Sequence, residues 1–210
     1  GEVAALWLIS ECQLAQAQRG EALKSASKAL RLARRHGDVP GQASALLAGA
    51  SAAVQQDPVV ALGMASEAAA LFGDHGDRAG SARALLLAAE AEADPEKATV
   101  SAKSAAAIFQ ALGNDRGQAS ALHAVMAAEA KIAKRTGAGK EAAIATGRAA
   151  AGLARDAGCR KLEATIMLAA AKLDPVSHEG LQLAHEASVI FREEGLKGEA
   201  AAAPPQNAKA

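Results

Sequence analysis

The chain has 210 residues, half of them hydrophobic, with 23 basic and 23 acidic side chains and a formal net charge of zero. That length and apolar content support an extensive packed core, and the charge balance, with no block of five like charges, removes the electrostatic footprint of a general nucleic-acid binder. No uninterrupted apolar run reaches the roughly 18 to 20 residues of a membrane helix, so membrane insertion is not expected. Alanine accounts for 60 residues, tyrosine is absent, and the aromatic residues are Trp7, Phe72, Phe109 and Phe191. Alanine favours helix, and the β-branched and aromatic residues that favour strands are scarce, so the composition predicts an all-α protein with closely approaching helices.

In chain order, "GEVAALWLISECQLAQAQRG" carries no basic-then-apolar leader and reads as an amphipathic helix already under way, as in a segment excised from a longer chain. "ALKSASKALRLARRHG" (22–37) follows, then a helix from Gly41, "GQASALLAGASAAVQQ", and a break at Asp57-Pro58. Asp at the N-cap and Pro at the first helical position are start signals, which recur at Asp94-Pro95 and, a little earlier than its helix, at Asp174-Pro175. The remaining segments are "ALGMASEAAALFGDHG" (61–76), "GSARALLLAAEAEA", "ATVSAKSAAAIFQALG" (98–113), "GQASALHAVMAAEAKIAKR", "AIATGRAAAGLARDAG" (143–158), "KLEATIMLAAAKL" and "GLQLAHEASVIFREEG" (180–195).

Five of these segments align without a gap and close on Gly37, Gly76, Gly113, Gly158 and Gly195. Small residues recur at the first, fifth and eighth positions (Ala61, Ala65 and Ala68 in the second copy), one stripe of a helix, and all three phenylalanines fall at the twelfth position. The closing Gly suits a left-handed helix C-terminus. Calling these segments helix B and the intervening ones helix A, the unit is A, turn, B, turn, with boundaries 1–38, 39–77, 78–115, 116–159 and 160–195. Residues 196–210 read as an incipient helix and a disordered tail, stopped at Pro204-Pro205. The closing glycines are spaced by 39, 37, 45 and 37 residues, so the fourth A helix is expected to be one or two turns longer than the others.

Gly closing one unit, then "GxAxAL", a break, and "AxxxAxxAxxxF" resembles the tetratricopeptide repeats, in particular their long Ala-rich variety, over Gly1 to about Gly195. The units exceed the usual 34 or so residues, and the aromatic and Gly-Tyr signals of helix A are mostly absent. The resemblance implies a right-handed α-solenoid of about five antiparallel helix pairs with a concave face lined mostly by helix A. It also implies a protein-protein interaction scaffold, binding a peptide or partner protein there, as part of a larger multidomain protein. An RNA-binding helical repeat, or a structural and oligomerisation module without a ligand groove, are the alternatives. Self-association through the terminal repeats follows if their apolar faces stay open. Candidate partner-binding positions along the A helices are Arg83 and Glu90, then Ser120, His123, Lys131 and Lys134, the last four spaced to share one helix face.

Enzymatic patterns are thin. HExxH, GxSxG, CxxC and GxGxxG do not occur, and "TGAGKE" (136–141) lacks the flanking Gly and Ser or Thr of a phosphate loop. No catalytic residue, cofactor or metal is expected. "LFGDHGDRAG" places Asp74, His75 and Asp77 together, but its register against the other copies makes it a helix end and a turn. Cys12 and Cys159 show neither disulfide nor zinc spacing, and an intracellular, cytoplasmic location is the expectation.

Overall fold

The structure, a computed structural model, describes residues 1–196. Among them all regular structure is helical: α1 (Glu2–Ala15), α2 (Arg19–His36), α3 (Val39–Ala53), α4 (Pro58–Asp74), α5 (Arg78–Ala91), α6 (Pro95–Ala111), α7 (Asp115–Thr136), α8 (Lys140–Asp156), α9 (Arg160–Ala171) and α10 (His178–Glu193). Odd-numbered helices are the A type and even-numbered ones the B type. The chain divides into two compact units, Gly1–Ile108 and Phe109–Ala210. In the first, α1 to α5 pack each against the next in sequence, and alternate A helices also touch (α1 with α3, α3 with α5). In the second, α7 to α10 do the same, with α7 touching α9. The expected incipient helix and tail at 196–210 lie, beyond Leu196, outside the described residues.

Helix ends follow from local chemistry. Gly37, Gly76, Gly113, Gly158 and Gly195 all take φ between 65° and 74°, the left-handed region that L side chains resist, so each B helix stops where its glycine stands. Asp38, Asp77 and Asn114 then cap the following A helix by accepting from the backbone N–H of Gly41, Gly80 and Gly117 at 2.8 to 2.9 Å. Asp57 caps α4 with Pro58 at its first position. The start of α10 differs from the sequence reading: Ser177, not Asp174, is the cap, and Asp174 supplies a backbone carbonyl that accepts from the Ser177 hydroxyl. The α7 helix has 22 residues against 12 to 15 for the other A helices, the roughly two extra turns that the glycine spacing requires.

The small-residue stripe of a B helix is the centre of three-layer rungs. In the first unit, Ala61 clusters with Ala53 of α3 and Ala91 of α5, and Ala65 with Ala50 and Ala88. Ala68 and Phe72 cluster with Ala84 of α5 and with Ala43, Leu46 and Leu47 of α3. One B helix thus covers the A helix before it and the A helix after it. Alanine on all sides leaves no long side chain to hold the axes apart, and burial of so many methyl groups is what stabilises the stack.

The twelfth repeat position is the large plug. Phe72, Phe109 and Phe191 are all buried. A methyl group built on Gly117 would stand 2.5 Å from Phe109 Cδ1, and one on Gly80 would stand equally close to Phe72, so the glycine opening the next A helix makes room for the ring. In the fourth copy the twelfth residue is Ala154, and the position eight residues on, where Gly80 and Gly117 stand in the second and third copies, holds Leu162, which packs into the same cluster. At these three steps a large residue on one side meets a small one on the other, which fits the absence of the glycine from the fifth A helix. At the first step, where Ala33 is followed by Gly41, Val3 of α1 approaches the glycine instead.

Candidate functional site

The sequence candidates fall on A helices in both units. Arg83 and Glu90 are two turns apart on α5, both exposed. Glu90 is exposed by area, yet the protein around its carboxyl raises its pKa above the ordinary value by desolvation. On α7, Ser120 is half-buried and its hydroxyl donates to the Arg116 carbonyl at 3.1 Å. His123 is half-buried, and burial lowers its pKa from the ordinary value. It occupies the repeat position of Leu47 and Leu86, which accounts for an imidazole in a semi-apolar setting. Lys131 and Lys134 project exposed from the last turns of α7, where a cation also suits the helix dipole.

Two recesses lie along the α7 and α9 pair. One, of about 470 Å³, sits by the helix starts and draws Ser120 together with Arg116, Arg160, Lys161 and Glu194. The other, of about 630 Å³, sits by the helix ends, where Lys131 and Lys134 meet Lys140, Lys172 and one carboxylate, Glu141, above Ala130, Ala133 and Leu173. Lys140 pairs with Asp174 at 3.2 Å, whereas Lys131, Lys134 and Lys172 form no ion pair among the described residues. Sequence reasoning missed Lys140, Lys172, Arg116, Arg160 and Lys161. The available signal was the recurrence of basic residues at both ends of α7 and α9, legible only once those helices were known to be neighbours.

Beneath the first recess Glu163 is fully buried, with Arg155 Nε donating to it at 2.6 Å and Arg160 NH1 at 2.9 Å. Arg160 also reaches Glu193 at 3.1 Å. This network ties α8, α9 and α10, and its carboxylate is consumed by its two arginines. The turn at 74–77 resolves in the same plain way: Asp77 is the cap of α5, Gly76 ends the B helix, and His75 stands at the C-terminus of α4. Among the described residues no group of three or more His, Cys, Asp or Glu could hold a metal ion, and no helix is long and apolar enough to cross a membrane. "TGAGKE" is the turn between α7 and α8, with Gly137 and Gly139 in the left-handed region.

The architecture is thus that of an all-α helical-repeat protein, built of helix pairs packed sequentially on their neighbours. No protein-family model matches the sequence, and no curated protein does. Among solved structures the chain is similar to RapI in its apo form, a helical-repeat protein, with a TM-score of 0.78 at 13% identity over 94% of this chain and 71% of that one. At that identity the likeness bears on the fold alone.

Proposed function

We propose that the chain is a non-catalytic protein-interaction scaffold that binds an acidic polypeptide segment along the A-helix face of its second unit. The observation that carries this reading is the set of three ammonium groups, Lys131, Lys134 and Lys172, gathered at the ends of adjacent A helices with no ion pair of their own, beside the single carboxylate of Glu141. Such groups steer and orient an acidic partner while costing little to keep hydrated when it is absent. Ser120 and His123 extend the same face toward Arg116 and Arg160, giving an extended segment a second anchoring point. Arg83 and Glu90 offer the equivalent A-helix positions in the first unit.

The test is affinity capture by the immobilised chain against the Lys131→Glu, Lys134→Glu, Lys172→Glu triple variant, with an Arg83→Ala, Glu90→Ala, His123→Ala variant as a second arm. We expect an identified partner with an acidic segment to be lost from the triple variant at unchanged melting temperature. Capture of the same proteins by both variants would overturn the assignment. The same basic recesses make RNA the competing reading. A labelled single-stranded 20-mer that binds at physiological salt, with affinity falling steeply as salt rises, would favour it.

A further inference from the structure

The outer face of α1 is the one A-helix face in the first unit that its repeat chemistry leaves uncovered. Aligned on "GxxxAL", with Gly1 against Gly41 and Gly80, the α1 residues Ala5, Leu8, Ile9 and Cys12 correspond to Ala45, Ala48, Gly49 and Ala52 of α3 and to Ala84, Leu87, Ala88 and Ala91 of α5. In α3 all four are buried, and in α5 three are buried and Leu87 is half-buried. In α5 these are the positions on which Ala61, Ala65, Ala68 and Phe72 of the B helix α4 rest. In α1 all four are exposed, with Leu8 at 53% and Ile9 at 46% of their full surface. The opposite face of α1 follows the common pattern: Ser10, the equivalent of Ala50, is buried and donates to the Ala22 carbonyl at 2.9 Å.

From this correspondence we infer that Ala5, Leu8, Ile9 and Cys12 form a docking face for a partner α-helix of the B type. That helix carries small residues at positions i, i+4 and i+7 and a large apolar residue at i+10 or i+11. The face offers no unpaired backbone to a strand, and its i, i+3, i+4, i+7 spacing with alanine at one end admits a second helix at close interaxial distance. By the α4-on-α5 geometry, the partner's first small residue rests near Cys12, its second near Ile9 and its third near Ala5. Because Ile9 is larger than Ala88, the second small position must be Ala or Gly, which all five B segments of this chain satisfy. The proposal concerns the first unit and does not depend on the acidic-partner reading of the second.

The probe is a synthetic peptide of residues 57–76, the α4 sequence with its Asp57 cap, stapled across the exposed positions 66 and 70 because a free helix of this length is marginal in water. Three readouts on the intact chain are used: peptide anisotropy, the fluorescence of Trp7 on α1, and the alkylation rate of exposed Cys12 against that of Cys159. Saturable binding is expected, with Cys12 alkylation slowed about tenfold or more and Cys159 unaffected. Ile9→Arg, which alters an exposed side chain, should weaken binding about tenfold or more by placing a charge in the apolar contact. Ala65→Glu in the peptide should do the same. The inference falls if nothing binds, if the peptide binds while Cys12 reacts at its free rate, or if Ile9→Arg binds as the parent does with its helicity retained. Concentration-dependent dimerisation of the chain alone, with Cys12 protected, would give the face to a second copy and also overturn it.

Discussion

Phe109 and Gly117 are predicted to behave as one packing unit, as Ala154 and Leu162 do. Every close approach to a methyl group built on Gly117 comes from the Phe109 ring, at 2.5, 2.7 and 2.8 Å, about 1 Å inside the optimal carbon separation. The ring is 3% exposed and has nowhere to swing. Gly117→Leu gains under about 1 kcal/mol of helix propensity and incurs overpacking at the upper end of about 1–3 kcal/mol. Phe109→Ala alone forfeits about 3–5 kcal/mol through lost burial and a cavity. If the two were independent, the double variant would lose the sum. Because the leucine fills the space the ring vacates, as Leu162 does beside Ala154, we expect the double variant to be more stable than Phe109→Ala, with a favourable coupling of about 2–3 kcal/mol. Urea unfolding followed by helical circular dichroism gives all four corners of the cycle, provided the slope with denaturant stays constant. Costs that add within about 0.5 kcal/mol would refute the shared-volume explanation.

Ala65→Phe, in the middle of the rung formed with Ala50 and Ala88, should lower stability by about 1–3 kcal/mol; an unchanged denaturation midpoint would contradict it. Ala17, the one non-glycine with positive φ among the described residues, at 59°, should be relieved by Ala17→Gly with a gain of about 1 kcal/mol, read from the melting temperature. Burial lowers the pKa of His123, so the unfolded chain takes up its proton first on acidification: the contribution of the neutral ring is complete above the ordinary value of 6.5 and is lost as pH falls below it. His123→Leu should remove that part of the acid sensitivity between pH 7.5 and 5.5, measured by midpoints at both values, and an unchanged pH dependence would show that the ring is solvated.

The fold was legible because every rung repeats a steric requirement. Ala61, Ala65 and Ala68 cannot be larger without parting α3 from α5, and Gly76 cannot be chiral without strain, so spacing and identity survive in each copy and align by eye. Even the long α7 could be located, since only an A segment was free to absorb the added residues between Gly113 and Gly158. The start of α10 was not legible in the same way. Asp174-Pro175 has the composition of a cap, but Ser177 stands three residues before Gly180, the spacing at which a side-chain oxygen reaches the N–H that needs it. Asp38, Asp77 and Asn114 keep that spacing to Gly41, Gly80 and Gly117, so the register of the glycine was the better guide than the dipeptide.

The candidate site was legible only along one helix at a time. The spacing of Ser120, His123, Lys131 and Lys134 puts them on one face of α7, because 3.6 residues per turn fixes that much without tertiary information. Lys172 stands 41 residues along the chain from Lys131, and Lys140 lies across the turn that ends α7, so no single helix periodicity links them. They meet because α7 is long enough to carry its last turns past the rungs, to where α9 ends and α8 begins. Inside the rungs the stripe positions admit alanine or glycine and little else. Beyond them the long A helix is free of that constraint, so its final turns can vary in charge without disturbing the stack. The extra length of α7 is therefore the feature that separates the proposed binding surface from the scaffold, and shortening it between Ala130 and Gly137 would test both at once: the core should stay folded while the lysine recess disappears.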